Sequence, residues 1–356
     1  MKYFAEELPT KWIQLENALA VLKDLNEVKH TGHCEKLEHI ENLAQTISIE
    51  KDELLLFLNY QHKIGNIIFF EELHDYIILQ PYWLVKCFRC LVCDDDKKNC
   101  TETELYDLKN TGQLADHLMV PLFSKDCELN FEKYQSHILD VMEKFDIIVK
   151  PKSMNSYYMP CMITESSDYK NIKKDFNVQD IHCTPWLILE FLFLPIAYFN
   201  HILFKYIKEQ IVCEVKQENA DGRPAIYAGK AVVYLDKTKC RKLIICFSKN
   251  AICVQIWKWI DVDENTYRNI VEGLCSTIEE LEKKLNHKLD YKIKSKCSTG
   301  DYLSSSDRIT FEDLPTLCVG KEYRCEEHDV MHNMDVIENT WLKHAPAVSI
   351  DFFMLR

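Results

Sequence analysis

Residues 57–91, FLNYQHKIGNIIFFEELHDYIILQPYWLVKCFRCL, constrain the fold more than any other stretch of the chain. Apolar spacing over residues 50–63 predicts a helix, and Gly65 followed by Asn66 breaks it. Ile67–Phe70 and Tyr76–Leu79 read as two short strands joined by the acidic loop Glu71–Asp75. Pro81 stands where a helix tolerates proline best, in its first turn, and that helix runs to about Val92.

Helix, turn, strand, acidic loop, strand and proline-started helix is the order of a winged helix. Amphipathic helices are predicted ahead of it over 11–25, with Trp12, Leu15, Leu19 and Leu22 on one face, and over 33–44. A second copy of the order follows. Leu105–Leu108 and Gln113–Met119 read as short helices, and Asp126 or Asn130 as the cap of a helix through Phe131–Phe145. Ile147–Val149 and Tyr157–Met159 read as a hairpin. Residues 165–182 are polar and mixed in charge. The character then changes: a strand at Leu189–Leu194, a helix over Phe199–Val212, and an antiparallel meander of Ala225–Leu235, Lys239–Ser248 and Ala251–Trp257. Val262–Leu285 is a long helix with acids early and lysines late, and Tyr291–Lys296 adds a strand. The expected fold class is α+β, a helix-rich tandem winged-helix-like subdomain followed by a helix plus antiparallel-sheet subdomain. The expected boundaries are 1–164 for the first subdomain, 165–182 for a linker, 183–297 for the second, and 298–356 for a loop-rich tail with a degenerate zinc-ribbon-like element.

Length and composition narrow the function classes. A chain of 356 residues with 47% apolar content is long enough for two or three cores. Its net charge of −13 opposes a general nucleic-acid binder and an anionic membrane surface. Its 16 cysteines sit largely inside apolar runs such as Leu243–Phe247, as small hydrophobes do, and no apolar h-region opens the chain. A reducing cytoplasm is the expected location. The longest apolar run, Pro185–Phe199, is too short for a bilayer and contains Glu190 and Pro195.

No catalytic motif stands out, so no catalytic residue is assigned. Gly229-Lys230 resembles part of a phosphate loop, but Pro224 and Ala231 occupy positions that need Gly and Ser or Thr. A turn leading into a strand is the better reading. Cys87, Cys90 and Cys93 fall at three-residue spacing on one helix and line a stripe rather than wrap a cluster. Cys325-Glu-Glu-His328 has the gap of a zinc knuckle, and Cys297 and Cys318 are the remaining candidate ligands. The partner knuckle is incomplete, so loop cysteines are the first reading and zinc the second. No other cofactor is expected. Tyr3-Phe4, Tyr82-Trp83 and Trp257-Lys258-Trp259 could stack bases but suit core or interface anchors better.

Residues 57–91 resemble the COR domain, the segment C-terminal to the Ras-like Roc GTPase in Roco proteins. The resemblance rests on Phe57-Leu58, Gly65, Ile67–Phe70, Leu73, Asp75, Ile77–Leu79, Pro81 and Trp83-Leu84 in order. Pro9, Trp12 and Leu15-Glu16 look like the family's opening helix. Met142–Phe145 and Tyr158–Cys161, with Pro160, look like the end of its first subdomain. Phe193–Pro195 with Tyr198-Phe199 resembles the start of the second, although Ala197 stands where the family usually carries glycine. Most of residues 8–296 is covered. The resemblance implies core or interface roles for Trp12, Phe57, Leu58, Gly65, Phe70, Pro81, Trp83, Phe145, Pro160, Pro195 and Phe199. It implies a non-enzymatic signalling module that packs against a Roc GTPase, homodimerises through its second subdomain and relays nucleotide state to effector domains. This chain starts at COR, so Roc would act from upstream sequence or in trans. The competing reading is a winged-helix nucleic-acid-binding protein. It needs a basic recognition helix and wing, whereas Glu71-Glu72 would repel phosphate and only Lys86 and Arg89 follow on the helix.

Overall fold

The computed structural model describes residues 8–29, 33–73, 75–92, 102–123, 131–152, 154–217, 220–311 and 322–344. It is an α+β chain of two compact units, residues 1–107 with 114–148, and residues 108–113 with 149–356.

The first unit runs α1 (Thr10–Lys29), β1 (Cys34–Lys36), α2 (Leu37–Thr46), α3 (Lys51–Lys63), β2 (Tyr76–Ile78) and α4 (Pro81–Val92). Leu15 and Leu19 of α1 meet Ile40, Phe57, Leu58, Ile67, Ile77 and Leu79 in one core. Asp52 and Glu53 open α3 and His62 and Lys63 close it, which complements the helix dipole. Gly65 at φ +83° makes the turn after it, a conformation that suits a residue without Cβ.

Two expectations change here. The stretch 33–44 begins as a strand, and its partner is β2, with Cys34 opposite Ile78 and Lys36 opposite Tyr76. The expected hairpin of Ile67–Phe70 with Tyr76–Leu79 shrinks to one bridge, Ile68 with Ile78. Pairing with β1 is non-local and buries Cys34 as well as Ile77 and Ile78.

The chain continues through α5 (Glu102–Thr111), β3 (Gln113–Leu114), α6 (Asp116–Phe123) and α7 (Phe131–Lys144). Gln113-Leu114 is extended rather than helical. Gly112, at φ +70°, ends α5, and a Cβ there would stand 2.6 Å from the Met159 carbonyl oxygen. The caps suggested at Asp126 and Asn130 lie outside the described residues. Beyond α7 the expected second hairpin is one bridge, Val149 with Tyr158, and β4 (Tyr157–Tyr158). Val149, Tyr158 and Ile163 belong to the core of the second unit, so packing divides the chain ahead of the expected boundary at 164.

The second unit comprises α8 (Tyr169–Asp175), β5 (Trp186–Phe191), α9 (Ile196–Glu209), β6 (Ile211–Val212), β7 (Glu214–Gln217), β8 (Ala220–Pro224), β9 (Ile226–Tyr227), β10 (Lys230–Tyr234), β11 (Arg241–Ser248), β12 (Ala251–Lys258), α10 (Glu264–Leu285), β13 (Tyr291–Lys296), β14 (Ile309–Thr310), β15 (Glu322–Cys325), β16 (Val330–Asn333) and α11 (Met334–Thr340). The main sheet runs β14-β13-β5-β12-β11-β10-β6, with β9 also on β10. Neighbours along it pair antiparallel.

Alternation along the strands sends side chains to two faces. Leu187, Leu189, Ile252, Val254, Leu243 and Ile245 face α9 and α10, beside Phe199, Ile202, Leu274 and Ile278. Trp186, Ile188, Cys253, Trp257, Ile244 and Cys246 face the other way. Both faces are buried, which explains the unbroken apolar runs in these strands.

The stretch 165–182 is not a free linker. Ile172, Val178 and half-buried Tyr169 and Phe176 cover that second face. Three and four residues apart, Tyr169, Ile172 and Phe176 share one side of a helix. Asp168 caps it by accepting the Asn171 amide at 2.7 Å. The tail is ordered over 322–344 as well. Met334, Ile337 and Trp341 enter the core under α10, and the Trp341 indole donates to the Pro185 carbonyl at 2.8 Å.

Glu190 on β5 binds Arg308 at 2.6 Å and also pairs with Lys294. Burial alone would raise its carboxyl, but the two cations outweigh burial and hold it below the ordinary carboxylate range. A depressed folded-state pKa contributes stability that is present above the unfolded value and is lost as pH falls through the folded one. Glu190→Gln is therefore expected to lower the urea midpoint at neutral pH, with the gap from wild type closing in acid. A gap that is constant with pH would contradict the pairing.

Candidate functional site

Four metal-ligating side chains, Cys297, Cys325, His328 and His332, offer atoms that all lie within 4.8 Å of one another. It is the one such group among the described residues. Cys297 follows directly on β13, which is fixed by six-residue pairing with β5. Cys325 ends β15, His328 sits in the turn, and His332 lies on β16 opposite Tyr323. Residues directly opposite in an antiparallel pair share a face, and Cys325 lies two positions from Tyr323 on that strand. The hairpin therefore presents Cys325 and His332 on one side, diagonally related.

The Cys297 and Cys325 sulfurs are 3.9 Å apart. His328 Nδ1 is 3.6 Å from the Cys297 sulfur and 3.2 Å from the Cys325 sulfur. Both cysteines are buried, and the His328 and His332 rings lie 6.0 Å apart by centroid. His332 Nε2 is buried with no hydrogen-bond partner. Burial, followed by the neighbouring Cys325 sulfur, pushes the Cys297 thiol up to about 11. Burial, then His328, pushes the His332 imidazole down.

The surroundings hold the hairpin turn in place. Asp307 accepts the amides of Glu326 at 3.1 Å and Glu327 at 2.9 Å, and lies 3.7 Å from the Cys325 sulfur. Lys296, fully buried, reaches Glu327 at 2.5 Å and the Asp301 carbonyl at 2.8 Å. Gly300 sits against both: a Cβ there would stand 2.6 Å from Lys296 Cε and 3.1 Å from the Cys297 sulfur.

Of the candidate ligands read from sequence, Cys297, Cys325 and His328 come together. Cys318 lies outside the described residues. His332 is absent from that set although His328-Asp-Val-Met-His332 has the three-residue gap of a zinc-binding histidine pair; the hairpin register places it beside Cys325. The helical stripe holds for Cys87, buried on α4 with its thiol donating to the Trp83 carbonyl at 3.4 Å, while Cys93 lies outside the described residues. Gly229 at φ +68° is in the tight turn between β9 and β10, not in a phosphate loop.

The other singled-out residues are placed as follows. Trp12 packs edge-on against Phe57 at 5.6 Å, and its indole donates to Glu53 at 3.2 Å. Leu58 and Trp83 are buried. Phe70 meets Phe145 at 5.4 Å. Pro81 starts α4, Pro160 starts a short 3₁₀ turn, and Pro195 precedes α9. Phe199 is buried against Phe247.

A family model described as "C-terminal of Roc, COR-A domain" matches residues 9–163. No curated protein matches the chain significantly. Among solved structures, an IcIR transcriptional regulator from Alicyclobacillus acidocaldarius is matched at 10% identity over 78% of this chain and 98% of that one. The TM-score of that match is 0.15, too low to speak for a shared fold. No helix among the described residues is long and apolar enough to cross a membrane.

Proposed function

We propose, from the COR-A family match over residues 9–163, that this chain is a non-enzymatic module of a Roco-type signalling protein. The COR-A match is the observation that carries this reading. The module acts in the cytoplasm, takes up the nucleotide state of a Roc GTPase in cis or in trans, and relays it to effector domains through a homodimer. The order α1, β1, α2, α3, β2, α4 supports a winged-helix-like first part. Glu71 and Glu72 are exposed in the wing position, and that charge suits a protein partner better than a phosphate backbone.

Leu192 and Phe193, after β5, are 83% and 71% exposed, in the segment that resembles the start of the second COR subdomain. Two adjacent large apolar side chains in water fit a surface that a second copy covers. Light scattering over a dilution series is expected to give twice the chain mass at high micromolar concentration, and Leu192→Asp/Phe193→Asp to shift the population to monomer with unchanged circular dichroism. A wild-type chain that stays monomeric throughout overturns dimerisation. For the relay, titration with a Roc domain loaded with GDP or with a non-hydrolysable GTP analogue is expected to give different affinities. Equal affinities would remove the basis for it.

A further inference from the structure

We propose that Cys297, Cys325, His328 and His332 bind one zinc ion as a closed structural centre that clasps the β15–β16 hairpin to the end of β13. The inference does not depend on the COR reading, since all four residues lie beyond residues 9–163.

Geometry carries it. Zn–S bonds of ~2.3 Å and Zn–N bonds of ~2.05 Å at tetrahedral angles put two sulfurs ~3.8 Å apart and a sulfur and a nitrogen ~3.6 Å apart. The separations here are 3.9 Å between sulfurs, and 3.6 and 3.2 Å from sulfur to His328 Nδ1. The fourth position falls to His332, whose buried Nε2 has no hydrogen-bond partner. A buried imidazole nitrogen left unpaired is costly in a folded chain, and a metal bond would satisfy it.

The ligand set chooses the ion. Two thiols and two imidazoles suit zinc, whereas magnesium and calcium want carboxylates and carbonyls. Four protein ligands leave no open position for water, which fits a structural role rather than a Lewis-acid one. Binding converts two S–H groups into two Zn–S bonds and releases two protons. The two thiolates then neutralise the dication, so the buried centre carries no net charge.

The position gives the centre its purpose. Cys297 extends from a strand paired along its whole length with β5 of the main sheet, whereas among the described residues β15 and β16 pair only with each other. An isolated two-stranded hairpin is marginally stable in water. The zinc would join it to the sheet across 28 residues of chain and hold α11, which follows it directly, against the core.

The test uses the full chain, purified in reductant without chelator. Elemental analysis is expected to find one zinc per chain. The metal-stripped chain, given cobalt(II), is expected to show tetrahedral d–d bands together with thiolate-to-metal charge transfer. Cys325→Ser is expected to abolish both. Because Cys325 is fully buried and its variant could misfold, His332→Ala, at a half-buried position on the otherwise exposed strand β16, is the second arm. It is expected to keep the circular dichroism of the fold while losing its zinc to a competing chelator that wild type resists. Chelation is expected to speed proteolysis after residue 297 in wild type. The proposal is overturned if the stripped chain takes up no zinc, if cobalt shows no sulfur charge transfer, if His332→Ala holds zinc as tightly as wild type, or if Cys297 and Cys325 form a disulfide in place of metal.

Discussion

Trp186→Ala is expected to remove about 3–5 kcal/mol from the stability of the second unit, among the larger losses a single substitution can cause. Trp186 is fully buried on β5, between β12 and β13. Its ring packs against Tyr169 at 5.2 Å and Tyr302 at 5.3 Å, so one side chain ties the α8 segment and the 298–304 loop to the sheet. The indole also donates to the Gly300 carbonyl at 3.0 Å. Alanine leaves a cavity and an unpaired carbonyl together. Trp186→Phe keeps most of the packing and should lose only about 1 kcal/mol beyond the small change in volume. Amide hydrogen exchange on β12 and β13 reads the local loss without assuming that both units unfold together. Protection within about 1 kcal/mol of wild type in the alanine variant would contradict the role assigned to this ring.

Glu327→Gln is expected to cost about 3–5 kcal/mol, and more than Lys296→Met. The Lys296 side chain is fully buried, whereas the Glu327 side chain keeps 21% of its exposure. Removing the carboxylate leaves an ammonium away from water with the Asp301 and Ser304 carbonyls but no directly paired carboxylate, Asp307 acting only through space. Removing the ammonium leaves a carboxylate that can turn to solvent, and methionine keeps the apolar stem packed. The double variant is expected to recover most of the Glu327→Gln loss. Hydrogen exchange on β13, with saturating zinc in every sample so that metal occupancy is the same throughout, gives the ranking. A Lys296→Met loss exceeding that of Glu327→Gln reverses the argument.

Local signals were legible and pairing was not. The α3 helix, the Gly65 turn and the Pro81 start of α4 depend on residues within a turn or two of one another, so periodicity and turn chemistry place them. The expected Ile67–Phe70 strand failed because the better partner for Tyr76–Ile78 was Cys34–Lys36, some forty residues away in sequence. The 165–182 stretch reads as polar because the charges between Tyr169, Ile172 and Phe176 mask the single helical side that these residues share. Its packing depends on an apolar sheet face, beside Trp186 and Trp257, that no local window contains.

By itself the sequence determined the α+β class, the acidic pair Glu71-Glu72, the α3 helix, the Gly65 turn and the Pro81 start of α4. Each of these follows from side-chain period, charge or turn residues read within a short window. Only the tertiary structure decided which strands pair, that the supposed linker and tail are packed against the sheet, and that His332 completes a set with Cys297, Cys325 and His328. Those outcomes depend on contacts between residues far apart in the chain. The entropy of closing the loops between them must be outweighed by burial and hydrogen bonding that only the assembled sheet provides.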